Sequence, residues 1–282
     1  MINISIITVC FNAKDGLINT IESVLAQNYT EFEMIVIDGG STDGTKKILS
    51  SYEDEFKNRQ INFQYISEKD SGIYDAMNKG VEMSSGEWCN FMNAGDLFYS
   101  NNSLKLLSNN INQEIGVIFG DAVHSYKNKY KISFASDAKE LTFEHGMEFC
   151  HQASLIRKAI LKRVPYDTNF NIAGDYDFFS KVFLNKVSFY HLEQIIAIFQ
   201  KDGISSTYAG MVNLENNQIK FINGFITNEV FMRENLKARI KIFGRKYISK
   251  RLISIRQKRI MEKDIKNWYN FYEIDDIYNR KR

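Results

Sequence analysis

Three groups of acidic residues stand where folding could turn them on one ligand. Asp38 opens the run DGGSTDGT (Asp38–Thr45), directly after the apolar stretch Phe32–Ile37. A carboxylate in that place can accept a base N–H or a ribose hydroxyl, and the glycines beside it let backbone approach a ligand closely. A tight strand-to-helix turn with a Ser, Thr or Asp cap would be spelled the same way. No G-x-G-x-x-G and no G-K-[ST] follows, so this is neither a dinucleotide fingerprint nor a P-loop. Asp96 closes Asn93-Ala94-Gly95-Asp96 after the apolar run Trp88–Met92. There it could hold Mg²⁺ or Mn²⁺ against a diphosphate, because these cations prefer oxygen ligands and borrow them from phosphates. It could equally cap a helix over Leu97–Leu107. Asp175 and Asp177 lie in AGDYDFF (Ala173–Phe179). Residues two apart do not share a helix face, so one can meet a cleft while the other caps or faces solvent. A carboxylate at a helix start is expected to stay ionised, as a general base must be. His151, between Cys150 and Gln152, is a lone histidine that reads as a hydrogen-bonded structural group, a metal ligand or a phosphate contact. Lys201–Ser206 is a polar, glycine-containing segment, either a lid or a plain loop.

The elements that would position these residues follow from periodicity. Ile4–Val9, Phe32–Ile37, Phe63–Ser67 and Trp88–Met92 are short apolar runs that predict buried strands. Between them, Leu17, Ile21, Val24 and Leu25 recur at helical spacing, and Lys46–Tyr52 and Ile73–Met83 also read as helices. Strands alternating with helices predict a parallel sheet with right-handed crossovers. Ligands bind such sheets beyond the carboxyl ends of the strands, where the polar clusters after Ile37, Ser67 and Met92 all fall. Later, Val117–Phe119, Lys131–Phe134 and Val187–Tyr190 suggest strands, and Asp175–Leu184 a helix. From about Met211 the pattern turns helical, with Leu236, Ile240, Phe243 and Tyr247 on one face and Ile248, Leu252 and Ile255 continuing it.

The 282 residues, 44% hydrophobic and 25% charged, suffice for a large core and exclude disorder, collagen or coiled coil as a description of the whole chain. Three cysteines without metal-ligand spacing predict a reduced, cytosolic protein. The sequence predicts no secretory leader and no membrane span. Between Arg233 and Lys266 there are 13 Lys and Arg against three acids, a net of +10. The remainder carries 23 basic and 31 acidic residues, a net of −8. An acidic body with a basic arm predicts an anionic partner for the arm. No nucleic-acid-binding motif accompanies it, so nucleic acid is not that partner.

Taken in order, SIITVCFN (Ser5–Asn12), LAQNY (Leu25–Tyr29), DGGSTDGT, EKDSGIYDAMNKG (Glu68–Gly80), SSGEWCNFMNAGD (Ser84–Asp96), CHQASLIRK (Cys150–Lys158) and AGDYDFF resemble the family 2 glycosyltransferases. They look most like the bacterial branch that builds capsule, O-antigen and colanic-acid-type polysaccharides. The resemblance spans about Ile2 to Ser206. It implies an α/β GT-A-type fold with a mostly parallel central sheet over 1–210, followed by a helical, basic extension over 211–282. It further implies inverting transfer of a sugar from a nucleotide-sugar, usually UDP-linked, to a saccharide acceptor. Thr8, Phe11, Asn12, Asp38, Asp70, Asn78 and Asn93 correspond to positions lining the nucleotide and sugar. Asp96 corresponds to the last acid of the metal motif, with Mn²⁺ or Mg²⁺ as its ion and His151 as a candidate further ligand. Asp175 corresponds to the general base. The chain departs from many relatives in keeping one carboxylate in Asn93–Asp96 and in having Gly174 where Glu often precedes the base. The thinned metal motif leaves open a catalytically inactive nucleotide-sugar-binding scaffold. Acceptors in this branch are often polyprenyl-diphosphate-linked, so the basic arm is expected either to meet an anionic membrane surface on the cytoplasmic face or to form a helical pair packed on the catalytic domain with its basic face in solvent.

Overall fold

The computed structural model describes residues 3–201, 209–247 and 268–281. The chain forms two compact units. The first comprises residues up to 123, 133–141 and 147–199; the second comprises 124–132, 142–146 and the chain from 200 onward.

The first unit begins with β1 (Ile4–Cys10), α1 (Lys14–Leu25), β2 (Phe32–Asp38), α2 (Thr45–Asn58), β3 (Asn62–Ser67), α3 (Ile73–Met83) and β4 (Trp88–Phe91). These are the alternating elements expected from the sequence, and their strands pair in parallel as β3-β2-β1-β4. Every residue of β1 and β2 is buried, as strands covered on both faces must be. Leu17, Ile21, Val24 and Leu25 are the buried stripe of α1, and each such side chain contributes roughly 1.5–3 kcal/mol when taken out of water. At the amino end of the strands Glu33 is buried but well served. Ser5 Oγ (2.6 Å), Ser85 N and Oγ, and Asn62 Nδ2 all donate to its carboxylate. Burial alone would raise its pKa, but these hydrogen bonds outweigh it and hold the group below its ordinary value.

The second half departs from a purely parallel pattern. β5 (Leu97–Phe98), α4 (Ser103–Ser108), β6 (Val117–Tyr126), β7 (Lys129–Ser133), β8 (Ser154–Arg157), α5 (Lys158–Arg163), α6 (Gly174–Leu184) and β9 (Phe189–Gln200) follow. The sheet continues from β4 through β8, β6 and β9 to β5, with β7 against β6. The β4–β8, β6–β8 and β5–β9 pairings are antiparallel. β8 is too short to announce itself in sequence, and β9 runs well past the Val187–Tyr190 signal, through the polar His191–Gln194 into the continuous buried run Ile195–Ile198.

The second unit contains α7 (Ala209–Ile222), α8 (Asn228–Tyr247) and α9 (Ile274–Lys281). Ring stacking of Phe221 on Phe231 at 4.5 Å and the Asn217–Asn235 amide bond make α7 and α8 an antiparallel hairpin. Leu236 and Ile240 were expected on one face of this segment; each is 61% exposed. Ile248, Leu252 and Ile255, and the Lys201–Ser206 loop beyond Lys201, lie outside the described residues. Among the described residues no helix is long and apolar enough to cross a membrane.

Candidate active site at the carboxyl edge of the sheet

β1, β2 and β3 end level: Cys10 pairs with Asp38, and Asp38 with Ser67. This register gathers the first set of polar residues. Asp38 is fully buried. Its Oδ1 accepts from the Ser41 hydroxyl, and its Oδ2 accepts from Ser67 Oγ at 2.6 Å. The Ser41 amide contacts both oxygens. Asp38 is therefore bonded into its own turn rather than held open to a ligand. Asn12, at φ 48°, latches the first loop to the second: its Oδ1 accepts from Thr42 N at 2.9 Å, while its own N–H donates to Ser41 Oγ. Phe11 beside it is 64% exposed. Thr8 is buried and donates to Met92 O at 2.8 Å, tying β1 to the segment after β4.

Asp70 occupies a distinctive position. A Cβ placed on Gly39 would lie 2.7 Å from Asp70 Oδ2, so the Asp70 carboxylate fits against the Asp38 turn only because residue 39 has no side chain. Gly72 N donates to Asp70 Oδ1 at 3.0 Å. The Cys10 thiol lies 3.7 Å from Asp38 Oδ1; desolvation pushes it up, and Asp38, Asp43 and Asp70 add to the shift. Asn78 is committed elsewhere: its amide donates to Tyr166 O and accepts from Tyr166 N.

The second set of residues surrounds Asp96. Thr20, a polar residue on the apolar face of α1, shapes the Asn93–Asp96 turn. Gly95 N donates to Thr20 Oγ1, and Thr20 Oγ1 donates to Asp96 O at 2.8 Å. The Asp96 side chain is buried and accepts from Gln152 Nε2 at 2.8 Å. It does not cap the following segment: α4 starts only at Ser103. His151 turns away into an aromatic nest of Phe91, Tyr166 and Phe179. Its Nε2 bonds the Tyr166 hydroxyl at 2.9 Å, and burial pushes its pKa down to about 3. Gln152, not His151, is thus the neighbour that Asp96 acquires from Cys150–Gln152. Desolvation pushes the Cys150 thiol up to about 12, and the charges of Asp96 and, more weakly, Asp175 add to the shift.

Asp175 is the second residue of α6. Its Oδ1 accepts from Tyr176 N at 2.9 Å and lies 3.3 Å from the Tyr74 hydroxyl, which also donates to Ile172 O at 2.7 Å. A Cβ on Gly174 would lie 2.7–2.9 Å from three atoms of the Tyr74 ring. Gly174 therefore leaves room for Tyr74, and a Glu cannot occupy that position without moving the ring. Asp177 points inward and pairs with Lys181 at 2.5 Å. The spacing suggested that the second acid would cap or face solvent; instead Asp177 is buried, because the aliphatic stem of Lys181 brings a cation to it one turn on.

The site residues thus form one set around Asp38 and Asp70 and another around Asp96 and Asp175. The start of α3, which follows Asp70 and carries Tyr74, connects them, as does the Ala94 N to Val9 O bond between the β1 and β4 loops. Sequence reasoning missed Thr20, Ser67 and Tyr74 as parts of the site, and it singled out Ser41 only as a cap and Gln152 only as a companion of His151 without a role. Of the three missed, only Thr20 left a signal, a hydroxyl interrupting an apolar helix stripe. Among the described residues no three His, Cys, Asp or Glu side chains converge on a common ion position. The donors at the Asn93–Asp96 turn are oxygens: the Asp96 carboxylate and Asn93 Oδ1, which is buried without a hydrogen-bond partner. Such a set fits a hard divalent cation that takes its other ligands from a diphosphate.

Comparison with known proteins identifies the family and the fold. The sequence profile described as glycosyl transferase family 2 matches residues 5–187. The chain is 30% identical over 184 residues to a PGL/p-HBAD biosynthesis glycosyltransferase of Mycobacterium bovis, covering 64% of this chain and 70% of that protein. In structure it is similar to S. aureus TarS 1-349 solved with UDP-GlcNAc: TM-score 0.62 and 18% identity, over 85% of this chain and 73% of that one. It is also similar to the mannosyltransferase PcManGT of Pyrobaculum calidifontis solved with GDP-Man and Mn²⁺: TM-score 0.62 and 12% identity, over 94% of this chain and 86% of that one.

Proposed function

The chain belongs to glycosyl transferase family 2 and has the GT-A fold; from that premise we propose that it moves a sugar, with inversion, from a nucleotide-sugar to a hydroxyl of a saccharide acceptor in cell-surface polysaccharide synthesis. The donor is a UDP-sugar, as in the TarS complex. The Thr8–Asn12 loop, Asp38 and Asp70 form the nucleotide pocket. Asp38 shapes it through Ser41 and Ser67, and Asp70 offers the carboxylate that meets base or ribose. Asp96 and Asn93 hold Mn²⁺ or Mg²⁺, which when bound offsets the negative charge of the diphosphate. Asn78 supports the pocket wall through Tyr166. Asp175 takes the proton from the acceptor hydroxyl. The freed oxygen forms its bond to C1 from the face opposite the nucleotide, and the C1–O bond to the nucleoside diphosphate breaks with its electron pair leaving on that diphosphate.

The observation that carries this reading is the Asp175 carboxylate at the start of α6, which accepts from the Tyr176 N–H and lies 3.3 Å from the Tyr74 hydroxyl. A base in this role contributes about 10²–10⁴-fold. Asp175→Asn should lower transfer by that factor while UDP affinity, measured by calorimetry with Mn²⁺, stays within about twofold. Transfer at the parental rate removes Asp175 from the role. Donor binding with no transfer to any saccharide by the parental chain would favour the inactive scaffold instead.

The protein is proposed to work on the cytoplasmic face of a membrane, on a polyprenyl-diphosphate-linked acceptor, with its basic extension against anionic lipid. Met232, Leu236 and Ile240 support this: four residues apart on α8 and each about 60% exposed, they form an apolar stripe flanked by Arg233 and Arg239.

A further inference from the structure

The α7–α8 hairpin has a polar seam where two packed helices usually meet through apolar side chains. Asn213, Asn216, Asn217 and Lys220 recur at helical spacing on α7 and face Glu234 and Lys237 on α8. With Ala238 and His145 they enclose a cleft of about 270 Å³. That lies just below the roughly 300–1,000 Å³ of pockets for drug-sized ligands, a size for one sugar unit rather than a chain. The cleft is on the helix face opposite the Met232–Leu236–Ile240 stripe, since 3.6 residues per turn places 234, 237 and 238 about half a turn from 232, 236 and 240.

Its chemistry is specific. Glu234 is already engaged by Lys237 (2.8 Å) and Arg233 (3.2 Å). Lys220 donates only to a carbonyl, His145 O at 3.0 Å, and no ion pair among the described residues includes it. Its ammonium is half-buried, and that desolvation lowers its pKa. The nearby Glu234 carboxylate only partly offsets that desolvation and is already shared by Lys237 and Arg233, so the partly desolvated Lys220 ammonium is a place for a ligand anion. Asn213 and Asn216 add amide donors and acceptors suited to hydroxyls. We infer that this cleft binds a single anionic sugar unit, one bearing a carboxylate or a phosphate, with Lys220 on the anion and the asparagines on the hydroxyls. The site is built from the second unit's own residues and is separate from the donor residues of the first. The inference does not depend on the transferase reading, because its test reads binding rather than turnover.

The test is calorimetry on the full chain, saturated with UDP and Mn²⁺ so that the donor pocket is not the site observed. The probes are glucuronate, glucose 1-phosphate, glucose and inorganic phosphate. Glucuronate or glucose 1-phosphate should bind at least about tenfold tighter than glucose and than phosphate alone, and comparison of the two identifies the anion. Lys220→Met should weaken the preferred probe at least about tenfold. Asn213→Ala, at an exposed position that holds no other residue, should weaken it severalfold without changing thermal stability. Equal binding of glucose and the acidic sugars, phosphate binding as tightly as glucose 1-phosphate, or affinity unchanged in both variants would each overturn the inference.

Discussion

Gly174 is the residue at which sequence and structure bear most directly on catalysis. In sequence it looks like a loss, since an acid is missing before the base. In the structure the space belongs to the Tyr74 ring, whose hydroxyl lies 3.3 Å from Asp175 Oδ1. Tyr74 is then a positioning residue for the base. Gly174→Ala forces its Cβ into that ring and should lower kcat by roughly 10²-fold with donor KM nearly unchanged, since small misplacements of reacting groups cost about that much. Tyr74→Phe keeps the ring and removes the hydroxyl, so it should lower kcat less and displace the acidic limb of the kcat–pH profile. A parental profile in Tyr74→Phe would show that the ring matters only for packing. Gln152 does the same for Asp96. Gln152→Leu should weaken Mn²⁺-dependent UDP binding severalfold and leave metal-free binding unchanged; a loss equal in both would make Gln152 a general structural residue. None of these pairings was legible in sequence, although Gln152 itself stood out beside His151. Each contact crosses 56 to 101 residues of chain, and no local pattern reports who will meet whom.

At the scale of elements, the sequence was informative where a period was strong. β1 to β4 and α1 to α3 emerged within a few residues because buried parallel strands are continuous apolar runs and their covering helices carry a clear stripe. The antiparallel half was poorly legible. β8 and β5 have four and two residues, and their place in the sheet comes from pairing, not from composition. The same argument from pattern applies to α8, whose regular apolar stripe faces outward instead of into a core. Such an exposed stripe implies a partner surface. On vesicles containing anionic phosphatidylglycerol, the full chain should co-float, and Leu236→Glu with Ile240→Glu should reduce the bound fraction severalfold at unchanged secondary structure. Replacing the lipid with neutral phosphatidylcholine should have a similar effect, because Arg233 and Arg239 then lose their counter-charges. Equal flotation of parent and double variant would assign the stripe some other role.

At the scale of the whole molecule, each unit carries a histidine whose pKa desolvation lowers. His151 of the first is held neutral by desolvation, with its pKa pushed down to about 3. His124 of the second is pushed down to about 4 by burial, with Lys201 and Lys131 adding to it. An unfolded histidine titrates near 6.5. Below that pH the unfolded chain binds protons that the folded chain refuses, so stability falls as the solution is acidified, until each folded pKa is reached. For the well-buried His151 the slope is at most about 1.4 kcal/mol per pH unit, and each kcal/mol corresponds to roughly 2–4 °C in Tm for a protein of this size. Glu33 has the same sign in a lower window: its folded pKa is depressed, so its contribution is lost as pH falls from its unfolded value near 4.5. Thermal melts from pH 7.5 to 5 isolate the histidines. Tm should hold nearly constant above about pH 7 and fall steadily below 6.5. His151→Gln loses the Tyr166 partner geometry and should start from a lower Tm, yet its Tm should fall less steeply with acid, because glutamine takes up no proton in the unfolded chain. A variant whose Tm falls in parallel with the parent would show that His151 is not the group that makes the protein acid-labile in this window.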